Sequence, residues 1–180
     1  MKHENENNRS EQKMQVVAPA PHSAELLALL TCEEFSLLVP IKDIVTLVSS
    51  QKILFSNIAQ ACGEIEFNQH SVPVFAFTKA LQLQPQLPVE QMTLVVLQYE
   101  SYLFAICCSE LKKLNAVDLH FYTVPLSMSS RKQPFTQFAI VNHVAAGLSS
   151  TAQLWRLLSL RKAGQAIPLL PTQVRMQGAG

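Results

Sequence analysis

Glycine is scarce in this chain: there are five in 180 residues, and the one Gly-x-Gly lies at the extreme C-terminus. A phosphate loop needs closely spaced glycines to bring backbone N–H groups up to its ligand, so Walker and Rossmann nucleotide sites are excluded. Aspartate is scarcer still, with only Asp43 and Asp118. Charged residues make up 15% of the chain, below the roughly one quarter usual in soluble domains. The net charge of +1 supplies no field for holding a phosphate backbone, and no polybasic run suits a membrane surface. Cys32, Cys62, Cys107 and Cys108 form no Cys-x-x-Cys, and none of His3, His22, His70, His120 and His143 makes a zinc-binding pattern. No apolar run approaches the about eighteen residues of a membrane span, so no direct membrane insertion is expected. The polar start, MKHENENNRSEQK, lacks the apolar core of a secretory signal. These absences point to a cytoplasmic protein with reduced thiols, no cofactor and no metal.

What is present is short apolar runs in a chain that is 48% hydrophobic. Low charge beside that much apolar material leaves surface that a partner must cover. Leu26–Leu30 and Phe35–Ile41 flank a polar Thr-Cys-Glu-Glu and read as a β-hairpin. Met92–Leu97 and Tyr102–Cys108 do the same around Gln-Tyr-Glu-Ser. Further strands are expected at Glu64–Phe67, Val72–Phe77, Leu119–Leu126 and Phe135–Val144, because runs this short and this rich in β-branched and aromatic residues favour strands. Pro40 and Pro73 lack a backbone donor and belong at edges or strand ends. Residues 1–23 and 164–180 read as flexible tails, leaving 24–163 as the folded part.

The folded part repeats itself. Phe35 aligns with Tyr102 at an offset of 67 residues, and at that offset Leu30 meets Leu97, Glu33 meets Glu100, Val39 meets Ile106, Asp43 meets Glu110, Ile44 meets Leu111 and Leu47 meets Leu114. Each half is thus a hairpin followed by an acidic residue and two aliphatics three apart, a spacing that predicts a short helical turn. Two similar β-subdomains packed together are expected. Near the end, Ser149 or Ser150 caps a helix through Ala152, Leu154, Trp155, Leu157 and Leu158, with Arg161 and Lys162 at its C-terminal end and Gly164 as its stop. A strand over Leu154–Leu160 is the rival reading.

Catalytic groups are hard to assemble. Glu64 and Glu66 alternate with Ile65 and Phe67, which places both carboxylates on the exposed face of a half-buried strand. Asp118 and His120 would share a strand face, yet no Gly-x-Ser-x-Gly supplies a nucleophile. No catalytic residue is assigned. Two other classes remain: a small β-barrel binding single-stranded nucleic acid, weakened because aromatic and basic residues are not interleaved, and a small hydrolase using Asp118 and His120.

One stretch carries family information. Gly63–Leu83, GEIEFNQHSVPVFAFTKALQL, resembles the central signature of CheW-like domains, the coupling proteins of bacterial chemosensory systems. Gly63, Ile65, Phe67, Val72, Pro73, Val74, Phe77, Leu81 and Leu83 stand where that pattern asks, and Phe35–Leu47 resembles the family's opening hairpin, with Val39–Ile41 as its Leu-Pro-Ile-like stretch. Asn68 and Gln69 depart from the family's Arg-Gly pair, and Ala76 from its aspartate. The resemblance implies an all-β fold of two small SH3-like five-stranded β-barrels with short helical turns. It also implies a non-enzymatic scaffold that couples methyl-accepting chemoreceptors to a CheA-type histidine kinase, in chemotaxis or in type IV pilus (twitching) signalling, at membrane-proximal arrays. No nucleic acid would be bound. The partner-binding residues it suggests are Asn68, Gln69, His70, Val39, Ile41, Val72 and Pro73. Loss of the arginine, which the family associates with contacts in its signalling complex, points to a specialised partner. A turn glycine replaced by Gln69 predicts an altered local backbone.

Overall fold

A computed structural model of the chain describes residues 25–33, 35–54, 60–78, 82–88, 93–125 and 134–160, with the side chains of 159 and 160 left aside. The expected tails lie outside these residues, as do Leu81, Met92, Leu126, Arg161, Lys162 and Gly164. Among the described residues there are twelve strands and one α-helix: β1 Leu26–Cys32, β2 Phe35–Pro40, β3 Ile44–Ser49, β4 Gly63–Phe67, β5 His70–Phe77, β6 Leu83–Gln84, β7 Thr93–Tyr99, β8 Tyr102–Cys108, β9 Glu110–Asn115, β10 Phe121–Thr123, β11 Gln137–Val141, β12 Val144–Leu148 and α1 Thr151–Leu160. They form two sheets, each curled into a half-barrel: β10-β11-β12-β2-β1-β9, and β3-β7-β8-β5-β4 with β6 added on β5.

The offset of 67 maps β1 onto β7 end to end. Cys32 pairs with Phe35 across the first hairpin as Tyr99 pairs with Tyr102 across the second. Glu33 and Glu100 open the two turns with φ of 51° and 53°. A second correspondence runs at an offset of 74. Gly63 pairs with Val74 as Gln137 pairs with Leu148, and Asn68-Gln69 occupies the tip of β4–β5 as Asn142-His143 occupies the tip of β11–β12. All four of these tip residues have positive φ.

The two halves are interlocked. The β1–β2 hairpin lies in the sheet that otherwise comes from the second half of the chain, and β7–β8 lies in the sheet built from the first half. β9 pairs with β1, and β3 with β7. Parallel pairing joins β12 to β2 and β5 to β8. The exchanged hairpins are therefore buried on both faces. Ala28, Leu30, Leu37, Val39, Val95, Leu97, Phe104 and Ile106 fill a core between the sheets. Their alternate neighbours fill the two barrel interiors: Leu27, Leu29 and Leu38 in one, and Leu94, Val96 and Ala105 in the other. Two buried faces explain why these strands read as unbroken apolar runs rather than alternating ones.

Three expectations need correcting. The residues expected to form these helical turns are strands, β3 and β9, and among the described residues the 3-10 turns are Ile41–Asp43, Ser50–Lys52 and Ala116–Asp118. A spacing of three in a strand puts side chains on opposite faces. Leu111 accordingly packs against the central core and Leu114 against a barrel interior. The single strand expected over Phe135–Val144 is a hairpin, β11–β12, broken by the Asn142-His143 turn. The strand expected at Leu119–Leu126 shrinks to the three residues of β10.

Helix α1 starts as the sequence indicates. The Gln153 N–H donates to Ser150 Oγ (3.2 Å) and the Ser150 N–H donates to Gln153 Oε1 (2.9 Å), a reciprocal capping box. Leu154, Leu157 and Leu158 seal the central core. Trp155 stacks on Tyr102, with ring centroids 4.8 Å apart. The Thr151 hydroxyl donates to Asp43 Oδ2 (3.2 Å) and ties the helix to the turn after β2. The strand reading of this segment falls.

Candidate partner-binding surface

The Gly63–Leu83 stretch folds as the β4–β5 hairpin followed by β6. Its inner face, with Ile65, Phe67, Val72 and Val74, packs into one barrel interior. Glu64, Glu66, Ser71 and Pro73 lie on the outer face, where Glu64 pairs with Pro73 and Glu66 with Ser71. The Ser71 hydroxyl donates to the Glu64 carboxylate. Pro73 lies beyond the β5–β8 register, which begins at Val74, so its missing donor breaks no ladder bond to β8. Further along, β5 turns Phe75 and Phe77 into the central core. Ala76 points into the barrel interior and is fully buried, a setting that suits a methyl and not a carboxylate.

At the tip, Phe67 pairs with His70 around Asn68 and Gln69, whose φ values are 49° and 64°. Positive φ at both central positions is the type I′ geometry that matches strand twist. Gln69 thus holds a backbone better suited to glycine, and the left-handed conformation is kept rather than lost. Asn68 and Gln69 are exposed and His70 is half-buried.

The seven residues singled out from the sequence fall into two groups. Asn68, Gln69, His70, Val72 and Pro73 share this hairpin, while Val39 and Ile41 belong to the other sheet and the turn after it. Val39 and Val72 are 0% exposed, in the central core and a barrel interior respectively, and offer no surface. Ile41 is half-buried against the central core.

Two features were missed. The exposed Asn142-His143 tip is the counterpart of Asn68-Gln69; an Asn at the head of a two-residue break was its only signal. The other is the β3 edge. Through their shared partners in β7 and β1, Thr46 corresponds to Lys112 and Leu47 to Lys113. Where β9 shows two lysines, β3 shows Thr46 and Leu47, the latter 50% exposed, with Val45 beside them 40% exposed. Lysines on an edge strand discourage further strand pairing, and β3 lacks them.

Catalytic arrangements gain nothing from the fold. Asp118 ends a 3-10 turn and His120 precedes β10, so they do not share a strand face as expected; both are exposed. Among the described residues no group of His, Cys, Asp and Glu is placed to hold a metal, and no helix is long and apolar enough to cross a membrane.

No protein-family model matches the chain, and no curated protein matches it by sequence. Among solved structures it is similar to the scaffolding protein TtCheW from Thermoanaerobacter tengcongensis, with a TM-score of 0.51 and 10% identity, over 69% of this chain and 88% of that one. The shared property is the fold: an all-β chain of two small SH3-like barrels, the architecture of a CheW scaffold.

Proposed function

We propose that this chain is a non-enzymatic scaffold that couples methyl-accepting chemoreceptors to a CheA-type histidine kinase in a cytoplasmic chemosensory array, in chemotaxis or twitching motility. The observation that carries the reading is the two-barrel architecture it has in common with a scaffolding protein. The uncharged β3 edge, with Val45 and Leu47 exposed, supports it, because an unguarded edge is open to strand addition by a partner. Asn68, Gln69 and His70, with Pro73 beside them and Ile41 in the turn after β2, are the proposed contacts. Asn and Gln in place of Arg-Gly remove a charge from the tip and tune it to a specialised partner.

The test is retention of the purified full chain by the kinase and receptors encoded near its gene, at micromolar concentration. Binding of at least one is expected, and Asn68→Arg should change its affinity several-fold. Retention of none would overturn the coupling role. Unchanged affinity for Asn68→Arg would remove the tip from the interface while leaving the β3 edge in it.

A further inference from the structure

Cys62 and Cys107 come from distant parts of the chain, and their sulfurs are 3.9 Å apart. Cys62 immediately precedes β4, and its N–H donates to the Val74 carbonyl (2.9 Å), which its thiol also approaches at 3.4 Å. Cys107 lies on β8, on the other side of β5, with its side chain in the same barrel interior that Cys62 packs against. The two thiols differ in access: Cys107 is buried and Cys62 only half-buried. Cys32 and Cys108 face the central core instead and are sealed within it.

We propose that Cys62 and Cys107 are an oxidation site, a thiol pair that hydrogen peroxide closes to an intramolecular disulfide. The roles follow from the environments. The two thiols share a hydrogen bond, and this contact holds the Cys62 pKa below its ordinary value, which favours the thiolate on the accessible partner. The same contact, together with burial, pushes Cys107 up and keeps it a thiol. The Cys62 thiolate attacks one oxygen of the peroxide; the O–O bond breaks, and the departing hydroxide takes a proton to become water, leaving Cys62 as a sulfenic acid. The Cys107 sulfur then attacks the Cys62 sulfur. The hydroxyl leaves with the Cys107 proton as a second water, and the S–S bond forms. In sum, two thiols lose two electrons and two protons, and one peroxide becomes two waters. The sulfurs must approach from 3.9 Å to about 2 Å, and because β5 lies between the strands that carry them, closure draws the backbone at Cys62, just before β4, inward toward β8 as the thiols turn. The new bond would staple the start of β4 to β8, at the base of the hairpin that carries Asn68 and Gln69.

The test treats the reduced full-length chain with hydrogen peroxide, alkylates the remaining thiols after unfolding, and maps peptides without reduction. The expected product is a monomer lighter by two hydrogens, linked Cys62 to Cys107 and restored by dithiothreitol, with Cys32 and Cys108 alkylated. Its rate should rise with pH to a plateau at lower pH than for a free cysteine. Cys62→Ser should abolish the reaction, and Cys107→Ala should halt it at a sulfenic acid on Cys62 that dimedone traps. Oxidation of wild-type Cys62 to a sulfinic acid with Cys107 still free would overturn the proposal. So would a link involving Cys32 or Cys108, a link between chains, or no reaction at peroxide excess. The wild-type map decides the matter even if a variant fails to fold.

Discussion

Gly63 has no room for a side chain. A Cβ there would sit 2.8 Å from the Leu54 carbonyl and closer still to the Ile53 side chain, because Leu54 and Glu64 exchange backbone hydrogen bonds across this point. A backbone neighbour yields little, so Gly63→Ala should cost about 1–3 kcal/mol. Urea unfolding with an unchanged m-value and a lower midpoint would confirm it. A second residue-scale effect concerns protons. Burial pushes Cys32 up and Cys108 up to about 11, and the hydrogen bond to Cys62, with burial, pushes Cys107 up. Unfolded thiols titrate near 9.0, so in alkali the folded chain holds protons that the unfolded chain releases. The contribution of these thiols is complete below the unfolded value and drains away as pH climbs through the folded ones. Cys62 is shifted the other way, one group against three. The urea midpoint should therefore be level below about pH 8 and fall between about pH 9 and 11, with a shallower fall in Cys108→Ala. Burial of the adjacent Cys107 and Cys108 on opposite faces was legible in the sequence, because it needs only the period of a strand.

At the scale of elements, the tips of β4–β5 and β11–β12 place Gln69 and His143 in the left-handed region, at φ of 64° and 67°. An L-residue there is about 1 kcal/mol worse off than glycine. Gln69→Gly should raise stability by about that amount, read as a higher urea midpoint, provided the tip makes no contact that glutamine supplies. The same chemistry explains what the sequence conceals. The hairpins β1–β2, β7–β8 and β4–β5 announce themselves through paired apolar runs, and α1 through Ser150 and Gln153. The β11–β12 hairpin does not, since His143 replaces the glycine that signals such a turn and β12 is built largely from Ala145, Ala146 and Gly147, which are poor strand formers. Strands β3 and β9 are hidden for another reason. Each is a sheet edge facing two different cores, so its apolar residues follow no single period. Of the proposed surface, the hairpin could be read from its motif, but the bare β3 edge could not, because it emerges only when β3 and β9 are compared in register.

At the scale of the molecule, the connections between hairpins decide how it folds. Within the first half, β1 pairs with β2, and β5 pairs with β4 and β6, but no described ladder joins these two groups. Within the second half, β7–β8 stands equally apart from β10–β11–β12. The ladders that join them all cross between halves: β1 to β9, β3 to β7, β5 to β8 and β12 to β2. The central core likewise draws on both halves. Each half is left with a lone hairpin and a three-stranded piece whose apolar face is covered by strands of the other half, so neither half carries a stable sheet of its own. A chain cut after Pro88 should therefore give two fragments that are each unfolded by circular dichroism, and that recover the β-sheet signal when mixed in equal amounts. The intact protein should unfold in a single transition, with secondary-structure and Trp155 fluorescence signals coincident, since Trp155 reports the central core and the sheets report the barrels. A first fragment that folds alone would mean that the β1–β2 and β4–β5 hairpins associate without β7–β8 between them, and the interlocked pairing would then be a late embellishment of the fold rather than its basis.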